Sequence, residues 1–280
     1  MSQSMNNAPD VTLDFYPFQN VGKRKNQEDY IDCQQLDGPT PDAPKSVLGV
    51  LADGMGGLEG GEIASMVVGK TFLRTVREAA RSPETEDSEP DILLYAMQQA
   101  NEALRQRKEH ESAELNSMGS TLCAAWVKGT RLFFLSVGDS LVYLMRGTCL
   151  YRLNHLHNFR EDARRNAQLN GQNWDIISQS PEIVRFGSRV TSYMGGGQIT
   201  QADCPAGAIE LQPGDTVLLS SDGLLTLSPR EIASLLEYDS PSGISSAREI
   251  ACSLVESTIE KDAPRQDNVS VVVIRLTQDA

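Results

Sequence analysis

Apolar residues recur along the chain with two different periods, which predict strands and helices. Val11, Leu13 and Phe15 alternate with polar residues, which indicates a first strand, and the loop at 20–28 leads into a second short one. Continuous apolar runs predict further strands at 47–52, 120–127 and 131–137, a hairpin over 140–153 that turns at Gly147, and strands at 214–223 and 268–276. Five glycines between 54 and 61 predict an interruption after the strand at 47–52 that lasts until Ile63.

Helical spacing of apolar residues occurs in two blocks, each between runs of strands. Helices are predicted at 63–80, 92–111, 159–171, 245–261 and after a capping box that opens at Ser228. Because strands and helices are segregated and several strands form hairpins, the pattern favours antiparallel sheets with helices packed outside them over a doubly wound parallel sheet. We predict a single domain over 11–278 with a small subdomain at about 158–205, preceded by a flexible segment at 1–10.

Composition excludes some classes of function and leaves others open. The 280 residues carry 25 basic and 38 acidic side chains, a net charge of −13. This charge disfavours nucleic acid and anionic membranes as partners; it is compatible with cation binding, although solubility explains it equally well. Five widely spaced cysteines contain no CxxC pair, and neither a signal peptide nor a long apolar span is present. These features indicate a cytoplasmic protein with reduced thiols.

Carboxylates recur in one setting, next to an apolar strand and beside a small or amide residue. They are Asp53, Asp139, Asp222 and Asp267, with Glu28 and Asp29 as a further acidic point. The glycines around Asp53 would admit a phosphate or a metal ion, but the chain lacks the GK[ST] of a Walker loop. If the strand ends meet, the carboxylates form a cluster that needs cations, and oxygen ligands select magnesium or manganese. Taken singly, each aspartate could equally end a strand in a turn.

Such a cluster would suit phosphoryl chemistry. Two divalent ions bridged by one aspartate would activate a water and stabilise charge in an in-line displacement. Arg24, close to the acidic pair, could hold the remaining phosphate oxygens in a bidentate clamp.

Six short motifs together resemble a known family. They are, in chain order, "RKNQED" at 24–29, "DGMGG" at 53–57 followed by "GE" and "AS" within 61–65, "GST" at 119–121, "GDS" at 138–140, "SDGL" at 221–224 and "DN" at 267–268. In order and spacing the sequence resembles the metal-dependent protein phosphatases, the PPM family of type 2C serine/threonine phosphatases, in their compact bacterial form. The resemblance implies an α+β fold, a four-layer α-β-β-α sandwich of two mainly antiparallel sheets flanked by helix pairs.

The same resemblance implies roles for individual residues. Asp53 would bridge two Mn²⁺ or Mg²⁺ ions, and the Gly54 carbonyl would bind one of them. Asp222 and Asp267 would bind the other ion, and Asp139 with Asp222 would match a third, weaker metal position.

Three further residues complete the site that the resemblance implies. Glu28 and Asp29 would act at or near the metals, in part through water, and Arg24 would hold the substrate phosphate. The reaction would be hydrolysis of phosphoserine or phosphothreonine in proteins by metal-activated water, without a phosphoenzyme. Asp53, Asp222 and Asp267 would be the catalytic carboxylates.

The resemblance also bears on partners. It implies a phosphorylated protein substrate, a serine/threonine kinase whose action the enzyme reverses, and a monomer. Two alternatives stay open: a phosphatase fold that binds or senses without turnover, and a phosphatase for a small phosphorylated molecule.

The sequence departs from the family pattern at several positions beside the expected site. These are Leu141 in place of an arginine after "GDS", Leu58 in place of a histidine after "DGMGG", Thr226 in place of an aspartate, and Leu156 in the aspartate's place of Thr-x-Asp-His, where His157 keeps the histidine. Met55 stands where some relatives carry a histidine proposed as general acid. None of these changes removes a principal metal ligand, so they indicate a divergent member. His155 and His157 could chelate a metal, but ordinary loop histidines fit the pattern better.

Overall fold

A computed structural model describes residues 11–40, 43–56, 60–82, 88–110, 112, 115–237, 239–240 and 243–278, and the predicted flexible segment at 1–10 lies outside them. The strands are β1 Val11–Asn20, β2 Asp29–Leu36, β3 Ser46–Met55, β4 Gly119–Ser120, β5 Leu122–Lys128, β6 Arg131–Val137, β7 Leu141–Arg146, β8 Cys149–Arg152, β9 Ile209–Glu210, β10 Thr216–Ser220, β11 Asp239–Ser240, β12 Gly243–Ile244 and β13 Val269–Gln278. The helices are α1 Gly60–Arg81, α2 Glu89–Glu109, α3 Phe159–Leu169, α4 Trp174–Ile177, α5 Pro181–Phe186, α6 Pro229–Leu236 and α7 Ala247–Glu260. Among the described residues, no helix is long and apolar enough to cross a membrane.

Two antiparallel sheets form the centre of the fold. One has the strand order β1-β13-β10-β7-β8, and the other has the order β2-β3-β5-β6-β9, with β4 paired to β3 beside it. Helices α1 and α2 cover the second sheet, while α7 packs on β1 and β13 with α6 beside it. The predicted α-β-β-α sandwich is therefore confirmed.

Three buried clusters separate the four layers. The first lies between α1, α2 and the second sheet, the second lies between the two sheets, and the third lies between the first sheet and α6 and α7. Representative members are Leu48, Phe72 and Leu93 in the first cluster, Leu51, Phe134 and Val272 in the second, and Tyr143, Leu218 and Ile250 in the third. The continuous apolar run of β13 follows from this arrangement: Val271 and Val273 face the helices, and Val272 and Ile274 face the other sheet.

Two helix starts carry a clear local signal in the sequence. Capping boxes open α6 at Ser228 and α7 at Ser246, with Glu231 and Glu249 as their partners. The predicted bounds of the interruption, 53–62, are wrong: β3 continues to Met55, and α1 already begins at Gly60. Strand pairing overrides the glycines, because β3 is held by β2 on one side and by β4 and β5 on the other.

The segment at 158–205 contains three short helices, of which the sequence predicted only α3. Helix α5 is opened by Ser180, whose hydroxyl accepts the Ile183 N–H, followed by Pro181. This signal was present in the sequence, but the helix is too short to show a clear period.

One glycine decides how closely α1 approaches the second sheet. A Cβ on Gly69 would lie 2.1 Å from Cδ1 of the Tyr30 ring on β2. We expect Gly69→Ala to lower the free energy of unfolding by about 1–3 kcal/mol through overpacking, which outweighs the gain of about 1 kcal/mol in helix propensity. Urea unfolding measures the change, and Lys70→Ala on the exposed face is the control. A Gly69→Ala protein more stable than wild type would contradict this packing.

Candidate active site

The predicted site residues lie around one cleft of about 210 Å³ at an edge of the sandwich. Its described lining consists of Arg24, Glu28, Asp53, Gly54, Met55, Thr121, Asp139, Ser188, Val190, Asp222, Asp267 and Asn268. Seven of the eight predicted site residues are therefore in the lining. The eighth, Asp29, pairs with Asp53 across β2 and β3 and is buried behind the cleft, with 6% of its surface exposed.

The topology explains why carboxylates from distant parts of the chain meet. Asp139 lies in the turn between β6 and β7, and Asp222 follows the end of β10. Asp267 precedes β13 rather than following a strand, but β13 runs antiparallel to β10, so its start lies at the same edge. Asp53 lies inside β3, two residues before its end, so the strand does not end at residue 52 as predicted.

The main chain at Asp53 is fixed by the neighbouring "GST" motif. Its N–H donates to Oγ1 of Thr121 (2.9 Å), and its carbonyl accepts from the Thr121 N–H (2.8 Å) and from Oγ of Ser120 (3.0 Å). The carboxylate therefore stands on a rigid strand. Sequence reasoning quoted this motif but gave Thr121 no role.

Gly54 allows the start of α1 and the Glu28 loop to pack against β3. A Cβ at Gly54 would lie 2.0 Å from the carbonyl oxygen of Gly61 and 2.6 Å from that of Glu28. Only glycine fits such an approach without displacing main chain. The Gly54 N–H donates to the Glu28 carbonyl (3.1 Å), so the acidic loop and β3 are joined here.

The turn that carries Asp139 is held by a buried histidine. Nδ1 of His157 accepts the Gly138 N–H (3.1 Å), and the His157 N–H donates to the Gly138 carbonyl (2.9 Å). Gly138 has a φ of +104°, a conformation that favours glycine. His157 is outside the cleft lining, and His155 lies near Asp203, with 3.3 Å between Nδ1 and Oδ2.

Two amides flank Asp267, and sequence reasoning missed their function. Oδ1 of Asn268 accepts the Glu28 N–H (2.7 Å), while Nδ2 donates to the carbonyls of Val21 (2.9 Å) and Asn26 (3.0 Å). Asn268 thus ties the acidic loop to the start of β13. The amide of Gln266 turns to the other side, towards Gly223.

Arg24, predicted to hold phosphate, is bonded to a predicted metal ligand. Its Nη2 donates to Oδ2 of Asp267 across 2.5 Å, and both side chains are partly exposed. This hydrogen bond raises the pKa of the Arg24 guanidinium. Arg24 therefore lies within the cleft as a fixed positive charge next to Asp267.

The carboxylates destabilise one another's charged forms. Burial and the charges of Asp29, Asp222, Asp139 and Asp267 hold the pKa of Asp53 well above its usual range. Burial raises the pKa of Asp29 to about 7, against the opposing effect of the Ser221 and Ser270 hydroxyls. Burial and the Asp222 charge likewise raise the pKa of Asp139 to about 7.

These properties fit hard divalent cations. The described cleft lining includes no histidine or cysteine, so its donors are oxygen atoms, as Mg²⁺ and Mn²⁺ prefer. Oδ2 of Asp29 is buried and has no hydrogen-bond partner among the residues that the structure describes. Within the described residues, no three His, Cys, Asp or Glu side chains are yet grouped so as to hold one ion. The carboxylates line one cleft, and bound cations would relieve their mutual repulsion.

The raised pKa values predict an unusual pH dependence of stability. The carboxyls of Asp29 and Asp139 bind protons more tightly in the folded protein, with a pKa of about 7, than in the unfolded chain, with a pKa of about 4. Their stabilising contribution is complete below the unfolded pKa and is lost as the pH rises through about 7. In EDTA, we therefore expect a higher thermal midpoint at pH 6 than at pH 8.

The control for this pH dependence is Asp139→Asn, which should reduce the difference between the two midpoints. Saturating Mn²⁺ should reduce it as well, because the ions neutralise the carboxylates. A wild-type midpoint in EDTA that is equal or higher at pH 8 would contradict the electrostatic account.

Comparisons with known proteins agree with this geometry. The family model for protein phosphatase 2C matches residues 26–244. The chain is similar to the serine/threonine phosphatase stp of Listeria monocytogenes, with 27% identity over 180 residues that cover 64% of this chain and 67% of the relative. It is also similar to the serine/threonine protein phosphatase PstP of Mycobacterium tuberculosis, with 30% identity over 229 residues that cover 80% of this chain and 39% of the relative.

A solved structure extends the likeness to three dimensions. The catalytic domain of PstP in complex with two manganese ions superposes with a TM-score of 0.71 and 27% identity, covering 96% of this chain and 100% of that one. The fold and the acidic cleft define a phosphatase of the metal-dependent class. The chain belongs to the protein phosphatase 2C family.

Proposed function

We propose that this chain is a metal-dependent protein phosphatase that hydrolyses phosphoserine and phosphothreonine in proteins. One observation carries the proposal: four aspartates, one in β3 and three beside the ends of other strands, line a single cleft together with Arg24, in a chain of this family. The cleft combines negative charge for cations with a guanidinium for phosphate.

The carboxylates and one carbonyl would hold two Mn²⁺ or Mg²⁺ ions. Asp53 would contact both ions, the Gly54 carbonyl would contact one, and Asp222 and Asp267 would hold the other. When bound, the ions supply a water nucleophile at neutral pH and neutralise charge on the phosphoryl group. The manganese pair of the PstP structure supports this assignment.

Three further acidic residues would complete the metal centre. Asp139 with Asp222 would form a third, weaker cation position at the side of the cleft. Glu28 and Asp29 would act in part through water, and the buried position of Asp29 behind Asp53 supports an indirect role.

The chain's own residues would orient the substrate. The guanidinium of Arg24 would donate two hydrogen bonds to the phosphate oxygens, exchanging its contact with Asp267 for them. Ser188 and Val190 bring the segment 158–205 to the cleft wall. We propose that this segment is a flap subdomain of a single catalytic domain and governs substrate preference.

The partners follow from this activity. The substrate would be a phosphorylated protein, and the enzyme would reverse the action of a serine/threonine kinase. A cytoplasmic monomer is the form in which we expect it to act. The net charge of −13 gives no support to nucleic acid or membrane as a partner.

A comparison of substrates tests the proposal against its two alternatives. With saturating Mn²⁺, we expect kcat/KM for a phosphothreonine peptide to exceed that for free nucleoside monophosphates and sugar phosphates. A higher kcat/KM for a small phosphorylated molecule would indicate that the same metal-dependent hydrolysis acts on a small molecule instead of a protein. A folded, metal-loaded protein that cleaves neither class would instead indicate a binding or sensor protein.

A further inference from the structure

Gln266 has a buried side chain whose amide nitrogen and oxygen are both hydrogen-bonded. Only 3% of the residue's surface is exposed. Its Nε2 donates to the carbonyls of Gly223 (3.0 Å) and Asp267 (3.2 Å), and its Oε1 accepts from Oγ1 of Thr226 (2.8 Å). Since carbonyl oxygens only accept hydrogen bonds, the two carbonyls fix which way the amide faces, and the Thr226 hydroxyl holds the amide oxygen in place.

This amide bridges two segments where the sheet no longer joins them. The ladder between β10 and β13 has its last pair at Ser220 and Val271. One further main-chain bond follows, from the Ser221 N–H to the Ser270 carbonyl (3.0 Å). Beyond that point, the Ser221 hydroxyl donates to the Asn268 carbonyl (3.4 Å), and the Gln266 side chain joins the Asp222 turn to the start of β13 by its bond to the Gly223 carbonyl.

The two bridged carboxylates repel each other. Burial is the largest cause of the raised pKa of Asp222, and the charge of Asp267 is the second largest. An uncharged amide can hold the two segments together without adding charge to the cleft. Hydrogen bonds from neighbouring residues orient metal ligands in this way, and their loss typically weakens metal binding.

We propose that Gln266 is a positioning residue that sets the separation of Asp222 and Asp267 for cation binding, with Thr226 holding its amide oxygen in place. The inference rests on the proposed function, because it requires that these two aspartates bind the metal. It also gives Thr226, a departure from the family pattern, a specific structural role.

Calorimetric titration of the full chain with Mn²⁺, in the absence of substrate, tests this role. We expect Gln266→Ala to weaken Mn²⁺ binding about tenfold or more. Thr226→Val, which keeps the shape but removes the hydroxyl, should weaken it about fivefold, the equivalent of one neutral hydrogen bond. Thr226→Ser keeps the donor and should bind as wild type does.

The matched control is Thr75→Val. It removes a comparable half-buried hydroxyl, which donates to the Thr71 carbonyl within α1 (2.9 Å). Its Mn²⁺ affinity should equal that of wild type. If Gln266→Ala does not fold, the Thr226→Val and Thr226→Ser pair decides the question alone.

Several outcomes would overturn the inference. Wild-type Mn²⁺ affinity in Thr226→Val and Gln266→Ala would remove the positioning role, and an equal loss in Thr226→Ser would assign the effect to packing. A wild-type chain that binds no Mn²⁺ at all would overturn the proposed function itself, which is a separate result.

Discussion

Asp53→Asn will lower kcat/KM by about 10³-fold or more, because Asp53 is the carboxylate proposed to contact both metal ions and its loss would remove several kcal/mol of transition-state stabilisation. The main chain at this position is held by Thr121 and Ser120 and does not depend on the side-chain charge. The substitution also removes a charge that four neighbouring aspartates disfavour. We therefore expect the metal-free variant to unfold at a higher temperature than metal-free wild type.

A loss of activity together with a higher unfolding temperature distinguishes a carboxylate that binds metal from one that stabilises the fold. Activity with Mn²⁺ and the thermal midpoint in EDTA should change in opposite directions. The control is Asp32→Asn, on β2 outside the cleft lining, where activity should not change. An Asp53→Asn protein that retains activity, or whose metal-free form is less stable than wild type, would contradict the assignment.

Arg24→Ala will lower kcat/KM by about 100-fold, the loss expected when two charge-assisted hydrogen bonds to phosphate are removed. Most of the change should appear in KM if the guanidinium binds substrate and transition state alike. Arg24→Lys should restore only part of the activity, because an ammonium cannot form the bidentate contact. Arg24 lines the cleft and its side chain is half exposed, so the fold should tolerate both changes.

Lys25→Ala is the matched control, since it removes a neighbouring exposed positive charge that is absent from the cleft lining. A comparable loss in Lys25→Ala would indicate that net charge, not a phosphate clamp, governs binding. Unchanged kinetics in Arg24→Ala would remove Arg24 from the site.

The layers of the fold and most of the carboxylates in the cleft could be predicted from the sequence and its family resemblance. Continuous apolar runs such as that of β13 predicted strands, and hairpins predicted their antiparallel pairing. The pattern left open whether the strand ends with Asp139, Asp222 and Asp267 meet, and only the family resemblance implied that they do; antiparallel pairing brings them to one edge. Helices α4 and α5 were not predicted, because they are too short for their apolar residues to show a helical period.

The contacts that organise the cleft could not be predicted, because they join residues far apart in sequence. Arg24 is hydrogen-bonded to Asp267, which lies 243 positions away in the sequence, and Asn268 is hydrogen-bonded to Glu28, 240 positions away. Nothing in the sequence distinguishes an amide side chain such as that of Gln266, which is buried and bridges two segments, from an amide exposed to solvent. The position of Asp29 behind the cleft depends on the register of β2 against β3, which local sequence does not set.

Phosphate release from a phosphothreonine peptide, with Mn²⁺ and with EDTA, tests the central claim most directly. Wild type and Asp222→Asn are compared under both conditions, after folding is checked for each. The account predicts turnover by wild type with Mn²⁺, none in EDTA, restoration when Mn²⁺ is returned, and loss of turnover in Asp222→Asn. Turnover that persists in EDTA, or that is unchanged in Asp222→Asn, would contradict a metal centre built on these carboxylates.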